Sequence, residues 1–212
     1  MSTAVESIPI KQWVTSEGLT NSNDTLLLAL HGWSSHERDL TKLFGRFSTK
    51  FDWVSLRAPY ELDEGGAGWF LRGDMENPDR DLVEAGVVSV LDWIDTHAAG
   101  RRLIPIGFSQ GGVMASELLR HRPDDFPAAV ILSGFTTPDT LPGDAELTAR
   151  RPPVFYGRGG RDEVIAPPSV VERTEQWVTN HTTPTVRLYP ALGHGVSPRE
   201  LSDVNRFLQS VG

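Results

Sequence analysis

The hydrophobic positions of this chain follow two patterns that alternate along it. Short continuous apolar runs are typical of strands buried on both faces of a sheet, and apolar residues three or four positions apart are typical of helices. The predicted strands are 8–14, 25–30, 51–56, 103–106, 128–133, 153–157 and 185–189. The predicted helices are 37–47, 78–97, 113–120, 169–180 and 198–209. The alternation predicts an α/β fold with a mostly parallel, doubly wound sheet and helices on both faces.

Three details refine this pattern. Pro9 confines the first predicted strand to an edge of the sheet, because proline cannot donate to a central ladder. Asn77 and Pro78 form a good helix start, with asparagine as the N-cap and proline at the first helical position. The long glycine-rich loop 57–73 is of the kind that is usually functional or disordered.

The connection 135–152 is too short for a separate helical cap. It also contains residues that break any long helix, namely Pro138, Pro142, Gly143 and Pro152. We therefore expect no cap domain. The cleft should be open and bordered by the loop of Trp33, the loop 65–70 and this connection.

Length and composition favour a single α/β domain over residues 1–212. The absence of cysteine excludes disulfides, thiol catalysis and thiolate metal sites. Residues 1–6 lack the basic start and apolar stretch of a signal peptide, so we expect a cytoplasmic protein. A net charge of −8 opposes nucleic acid and anionic membranes, and no apolar run approaches the roughly 20 residues that span a bilayer. We expect a monomer or homodimer with no nucleic acid and no stable membrane attachment.

The stretch 105–112 joins a predicted strand to a predicted helix and contains Gly107-Phe108-Ser109-Gln110-Gly111, a G-x-S-x-G match. Such a match recurs by chance, but a strand before it and a helix after it make chance a poor explanation. In that setting the serine lies on a sharp turn that exposes its Oγ at the helix N-terminus, and the glycines avoid collisions that a Cβ would cause. Ser109 is therefore a candidate nucleophile.

Ligands of doubly wound sheets bind at the carboxyl ends of the strands, so residues directly after each strand are informative. Those residues are His31-Gly32-Trp33, then Ser109, then the turn 157–162 with Asp162, then the segment 191–195 with His194. A serine, an acid and a histidine thus reach one edge of the sheet in the order Ser, Asp, His. This is the chain order of the α/β-hydrolases.

The motifs together resemble the α/β-hydrolases, and more closely the phospholipase/carboxylesterase family that includes acyl-protein thioesterases and bacterial carboxylesterases. The resemblance covers nearly the whole chain and rests on His31-Gly32, Ala58-Pro59 through Gly68-Trp69-Phe70, the stretch 107–112, Asp162 with Val164-Ile165 and a following proline, and Gly193-His194-Gly195. Two features depart from the family: Trp33 replaces a smaller aliphatic residue, and the usual second glycine after Gly32 is missing. Both bear on the shape of the oxyanion loop and acyl pocket.

Acyl transfer assigns a role to each candidate. Ser109 needs an adjacent base, and histidine is the residue type whose ordinary pKa suits that role near neutrality, which makes His194 the candidate. Asp162 would accept the other ring N–H and stabilise the imidazolium. The backbone N–H groups of Gln110 and Trp33 would form the oxyanion hole. We further expect His31, Trp69 and Phe70 at the substrate site, with His31 orienting its loop by hydrogen bonds rather than acting as a catalyst.

Several residues compete for these roles. For the base, the alternatives are loop histidines, namely His97, His121 and His181. For the acid, they are Glu163, Asp139 and Asp144, and Asp162 is preferred because it begins the turn after its strand. For Trp69 and Phe70, the alternative is a place in the core.

The sequence does not support a calcium, dinucleotide or zinc site. The acidic stretch 74–79 lacks the glycine that a calcium loop needs at its sixth position. The stretch 157–160 does not complete a dinucleotide fingerprint, and no histidine–carboxylate spacing suggests zinc. We therefore expect no cofactor and no metal. The sequence predicts a serine hydrolase of small-molecule carboxylic esters with short to medium acyl chains; the alternatives are an acyl-thioesterase, a lysophospholipase, a perhydrolase, or a non-catalytic binding protein on a hydrolase scaffold.

Overall fold

A computed structural model of the chain describes residues 6–16, 25–47 and 51–211. Its strands are β1 (Trp13–Thr15), β2 (Thr25–Leu30), β3 (Asp52–Leu56), β4 (Tyr60–Glu61), β5 (Ala67–Gly68), β6 (Arg102–Phe108), β7 (Ala129–Leu132), β8 (Pro153–Gly159) and β9 (Thr183–Tyr189). Its α-helices are α1 (Thr41–Phe44), α2 (Arg80–His97), α3 (Gln110–His121), α4 (Pro142–Arg150), α5 (Pro168–His181) and α6 (Pro198–Val211). A 3₁₀ turn, Asp63–Gly65, lies between β4 and β5.

Seven strands form one sheet in the order β1-β3-β2-β6-β7-β8-β9, and only β1 is antiparallel to its neighbour. This confirms the predicted doubly wound, mostly parallel sheet. The first strand lies at an edge as predicted, but it spans Trp13–Thr15 rather than 8–14, so Pro9 lies outside it and is not the reason for its position. The carboxyl ends of β2, β6, β8 and β9 therefore lie along one edge of the sheet, which brings the loops after them together.

The two faces of the sheet are covered by different helices because side chains of a strand alternate in direction. Leu26, Leu28 and Leu30 of β2 pack in one core with α2, α3, α4 and α5. Leu27 packs in a second core, with α6 and the short α1. Helices cover both faces, as the apolar runs predict.

The helix predicted at 37–47 is mostly wrong, because only α1, Thr41–Phe44, is helical there. Polar side chains hold the preceding residues in turns: Ser35 Oγ donates to Asp39, and the His36 ring accepts from the N–H of Arg38. Such local bonds compete with the helical ladder. The segment 31–40 is therefore a loop at the carboxyl end of β2.

The predictions for Pro78, as the first residue of a helix, and for Pro142, as a helix breaker, are wrong. The N-cap of α2 is Asp79 rather than Asn77, because the Asp79 carboxylate accepts from the backbone N–H groups of Asp81 and Leu82. Pro142 does not break a helix but begins α4, since proline at the first helical turn removes a donor that would have no partner. The helix α4 packs against α3 and α5, so it belongs to the wall of the core and is not a cap.

None of the helices in the described ranges is long and apolar enough to cross a membrane.

Candidate active site

Ser109 occupies a sharp turn between β6 and α3. Its backbone angles are φ 54° and ψ −118°, in the left-handed half of conformational space that side chains other than glycine rarely adopt. A Cβ on Gly107 would collide with the carbonyl of Gly111, and a Cβ on Gly111 would collide with the carbonyl of Leu30. The two motif glycines are thus required by close backbone approach, and the strained turn aims the serine at the carboxyl edge of the sheet.

Ser109, His194 and Asp162 form a continuous chain of hydrogen bonds. The Ser109 hydroxyl lies 2.9 Å from Nε2 of His194, and Nδ1 of His194 lies 2.8 Å from Oδ2 of Asp162. The other carboxylate oxygen of Asp162 accepts from the N–H groups of Val164 and Ile165 at 2.9 and 3.0 Å. With the carboxylate holding Nδ1–H, Nε2 is free to accept the serine proton.

The loops that carry the acid and the histidine are joined by their backbones. Gly160 N–H donates to the carbonyl of Tyr189, and Arg161 N–H donates to the carbonyl of Leu192. A Cβ on Gly159 would collide with this second loop. The distance between Asp162 and His194 is therefore set by main-chain contacts and does not depend on their side chains alone.

Two backbone N–H groups lie beside the nucleophile. Gln110 is the first residue of α3, where an N–H has no acceptor within its own helix. The loop of Trp33 lies against the serine, since a Cβ on the adjacent Gly32 would be 3.5 Å from the Ser109 Cβ. In the described part of the chain, neither N–H donates to a protein acceptor. Both are thus available to a ligand oxygen, as the sequence predicts for an oxyanion hole.

The side chain of Gln110 holds the other loop that borders the site. Its Oε1 accepts from Trp69 N–H at 2.8 Å, and its Nε2 donates to the carbonyl of Phe70 at 2.7 Å. The sequence indicated only a main-chain role for this residue. The side-chain role has no local signal, because its partners lie about 40 positions away in the chain.

His31 and Trp69, which were expected at the substrate site, are fully buried, so their side chains lie behind its surface. Nδ1 of His31 donates to the carbonyl of Gly32 at 2.7 Å, and its Nε2 accepts from Ala58 N–H at 3.1 Å. The Trp69 indole donates to the carbonyl of His31 at 2.8 Å. These bonds fix the start of the loop that follows β2, which agrees with the interpretation of His31 as a residue that orients this loop.

Burial keeps His31 neutral. Its removal from water lowers the pKa of the imidazole to about 4, against a smaller opposing effect of the bond to Gly32. A neutral ring can accept at Nε2 while it donates at Nδ1, and both bonds would be lost to an imidazolium that donates at both nitrogens. The tautomer therefore persists over the whole neutral range of pH.

A narrow, mainly apolar cleft of about 60 Å³ opens beside Ser109 and Gln110. Its apolar walls are Trp33, Phe70, Met75, Pro78 and Phe135, with Arg72, Gly73 and Asp74 completing the lining. Phe70 is thus the one of the three predicted substrate residues that reaches the site.

The Trp33 ring rests on the β4–β5 hairpin, where a Cβ on Gly68 would be 2.5 Å from it. Gly68 therefore makes room for the residue that departs from the family pattern. The same ring forms one wall of the cleft.

The competing candidates lie elsewhere. His97 stacks on Trp93, His121 contacts Glu84, and His181 contacts Thr148. Asp144 is bonded to Arg120, and Asp139 contacts the same guanidinium through its main chain. Glu163, next to Asp162, is exposed. Among the described residues, no group of three or more histidine or acidic side chains could hold a metal ion.

The chain was compared with known proteins. The model of the phospholipase/carboxylesterase family matches residues 17–211. No protein of curated function matches.

Solved structures share the fold. The Bacillus cereus carboxylesterase has a TM-score of 0.81 and 21% identity, over 95% of this chain and 94% of that one. The Zea mays acyl-protein thioesterase 2 has a TM-score of 0.77 and 20% identity, over 95% and 99%. The Mesorhizobium loti carboxylesterase has a TM-score of 0.76 and 21% identity, over 88% and 89%.

Proposed function

Because the chain belongs to the phospholipase/carboxylesterase family of α/β-hydrolases, and is thus an esterase-type hydrolase, we propose that it cleaves small-molecule carboxylic esters through an acyl-enzyme on Ser109. The observation that carries this proposal is the unbroken series of contacts from Ser109 through His194 to Asp162, at 2.9 and 2.8 Å. Fold alone would not support it, because the same fold hosts unrelated functions.

The proposed reaction has two halves. Ser109 Oγ attacks the ester carbonyl as its proton passes to Nε2 of His194, and the negative oxygen is held by the N–H groups of Trp33 and Gln110. Collapse of this intermediate breaks the ester bond, and His194 returns the proton to the leaving alkoxide. Water then attacks the acyl-enzyme in the same way, which releases the acid and restores the serine. Asp162 stays ionised throughout and stabilises the imidazolium.

The size of the cleft supports the short end of the proposed range of acyl chains. At about 60 Å³, the cleft is small beside ligand pockets, which typically measure about 300–1,000 Å³. We expect a short acyl group such as acetyl or propionyl to suit so small a space. Apolar walls favour a hydrocarbon over a charged acyl group.

Thioester hydrolysis is the second candidate, because the fold is shared with an acyl-protein thioesterase from Zea mays. A thioester presents the same carbonyl to the same donors and differs only in its leaving group. A cytoplasmic monomer or homodimer, without nucleic-acid or membrane partners, stays a prediction from composition and charge.

The test uses a fluorophosphonate probe and a set of paired substrates. We expect the parent protein to be labelled at Ser109 and the Ser109→Ala variant to be unlabelled and inactive, because alanine lacks the nucleophilic oxygen. Oxygen esters and matched thioesters from acetyl to octanoyl then rank acyl length and leaving group. An unlabelled parent that is folded would show a binding protein on a hydrolase scaffold and would overturn the proposal.

A further inference from the structure

Two separate segments form the outer walls of the cleft beside Ser109. One is the segment 70–78, which contributes Phe70, Met75 and Pro78, and the other follows β7 and contributes Phe135. Neither wall carries Ser109, Asp162 or His194. The width of the cleft therefore depends on whatever holds these two segments in place relative to each other.

The guanidinium of Arg173, on α5, contacts both walls. Its Nε donates to the carbonyl of Thr136 at 2.8 Å, directly after Phe135 in the chain. Its two terminal nitrogens donate to the carbonyls of Glu76 and Met75 at 3.0 and 3.1 Å. One planar, rigid guanidinium group thus connects the two walls with three hydrogen bonds.

Neighbouring residues of α5 fix the platform from which Arg173 reaches out. Thr174 Oγ1 accepts from the N–H of Thr136 at 3.1 Å, so α5 bonds both main-chain groups of that residue. The hydroxyl of Ser169 donates to the carboxylate of Glu76. The wall after β7 is thus held by Thr174 and Arg173. The segment 70–78 is held to α5 by Ser169 at the Glu76 side chain, and by Arg173 at its main-chain carbonyls.

Arg173 is half-buried, and every protein hydrogen bond described for its side chain goes to a main-chain carbonyl of these two segments. Burial lowers the pKa of its guanidinium from the ordinary value, and the carboxylates of Glu76 and Asp139 oppose that effect. The partly buried guanidinium has lost some of its hydration, and its hydrogen bonds to the three carbonyls compensate for that loss.

We propose that Arg173 is a positioning residue that joins the two walls of the cleft and thereby sets the affinity and acyl-length preference of the enzyme. The proposal rests on the proposed esterase function. It assigns no catalytic role to Arg173, which does not contact the reacting atoms.

The chain offers a matched control in Arg151. Its guanidinium also donates to three main-chain carbonyls, those of Thr179, Asn180 and Thr182, at the far end of α5 from the cleft. Arg151→Met removes the same chemistry at a place that does not touch the walls. A merely structural effect of losing such a cation would appear equally in both variants.

Kinetics with short and medium acyl esters form the first readout. Arg173→Met is expected to raise KM for the preferred short ester by about tenfold and to change kcat by less than about threefold, because loosened walls misplace the substrate and not the triad. It should also flatten the preference among acyl lengths. Arg173→Lys keeps the charge but has only one compact donor group, so its KM should lie between those of the parent and Arg173→Met. Arg151→Met should keep the KM of the parent.

Trypsin cleavage under native conditions gives a readout that does not depend on activity. Arg72 is an exposed residue of the segment 70–78, and cleavage after it can be followed by mass spectrometry. We expect Arg173→Met to be cut there several times faster than the parent or Arg151→Met. Equal cleavage after Arg72 in folded Arg173→Met or Arg173→Lys and in the parent would overturn the proposal, as would equal KM values in the two methionine variants. Faster cleavage in a protein that hydrolyses no ester would refute the proposed function and leave the role of Arg173 in place.

Discussion

At the scale of single residues, Asp162 and Glu163 show that two carboxylates next to each other in the chain can differ in role because their surroundings differ. The Asp162 side chain is 6% exposed, and both of its oxygens accept hydrogen bonds. Glu163 is exposed. Only the first can hold the imidazole in one tautomer and stabilise its charge.

We therefore expect Asp162→Asn to lower kcat on the order of 10⁴-fold, because the amide disrupts the tautomer that accepts the serine proton. Glu163→Gln is the matched control and should remain within about threefold of the parent. Steady-state kinetics at one pH decide between them. A larger loss in Glu163→Gln than in Asp162→Asn would show that the acid is misassigned.

The candidate residues that the structure brings into contact are those that a motif and a strand end define together. Ser109 has the glycine pattern, and His194 and Asp162 follow the last two long strands. His31 and Trp69 were placed at the substrate because they lie next to these motifs, but burial depends on what packs over them. Arg173 has no local signal at all, since its partners lie up to 98 positions away.

At the scale of elements, a buried ionic cluster joins three of the helices. Arg120 of α3 is bonded to Glu117 on its own helix at 2.7 Å and to both oxygens of Asp144 on α4 at 2.9 Å. The indole of Trp177 on α5 also donates to Asp144, and Arg120 lies over the face of its ring. The side chains of Arg120, Glu117 and Asp144 are at most 5% exposed.

Arg120→Met should lower the free energy of unfolding by about 3–5 kcal/mol, because it leaves the buried carboxylate of Asp144 without a cation, although Glu117 keeps its ion pair with Arg80. The control is Arg150→Met, which removes the more exposed ion pair with Asp124 and should cost less than about 1 kcal/mol. Urea denaturation measures both. A loss in Arg120→Met no greater than in Arg150→Met would mean that the cluster does not hold the helices together.

The start of α6 contains an acid that should couple stability to pH. Glu200 is fully buried, and its Oε2 accepts from Ser197 N–H at 3.4 Å, but its Oε1 has no partner within the described residues. Burial raises the pKa of this carboxyl from 4.5 to about 7, with a smaller contribution from Asp203. The native state therefore binds the Glu200 proton more tightly than the unfolded chain does.

It follows that the contribution of Glu200 to stability is greatest below pH 4.5 and falls as pH rises through 7. Glu200→Gln removes this dependence while keeping the shape of the side chain. The difference in unfolding free energy between parent and variant should change by on the order of 3 kcal/mol from about pH 4 to about pH 8, in favour of the variant at high pH. Urea titrations at each pH measure it, and a constant difference would contradict the raised pKa.

The elements that the sequence predicts well are those whose hydrophobic pattern is long and regular, such as the helix at 198–209 and the strand at 25–30. The helix predicted at 37–47 is wrong because local side-chain bonds there outweigh a weak apolar pattern. The predictions for Pro78 and Pro142 are also wrong. A proline can begin a helix or break one, and the local sequence does not show which of the two applies.

At the scale of the whole molecule, the connection after β7 contains α4, which packs on the core and leaves the cleft without a cap. We expect no jump in activity at a lipid–water interface, because no cap over the cleft is seen in the part of the chain that the structure describes. The measurement is the rate as a function of concentration of a medium-chain ester, taken across its solubility limit. A sharp rise as monomers give way to aggregates would show that something covers the site.

The overall topology was predictable because parallel strands with helical connections leave few arrangements. Because the carboxyl ends of parallel strands all lie at one edge of the sheet, the topology also predicts that the loops carrying Ser109, Asp162 and His194 lie together. A single domain over 1–212 stays a prediction. The width of the cleft was not predictable, because it depends on which segments α5 contacts.

The backbone of Ser109 also sets a limit on how stable an active form of this protein can be. Its positive φ with ψ −118° is a sparsely populated conformation that costs about 1–3 kcal/mol for a residue with a Cβ, so each active molecule gives up part of its folding free energy to point one oxygen outward. Ser109→Gly should therefore be more stable than Ser109→Ala, although neither can form an acyl-enzyme, and urea denaturation compares the two directly. If alanine proves at least as stable, the turn carries no strain. Otherwise the most stable residue at this position is one that cannot catalyse, and selection for stability alone would remove the activity.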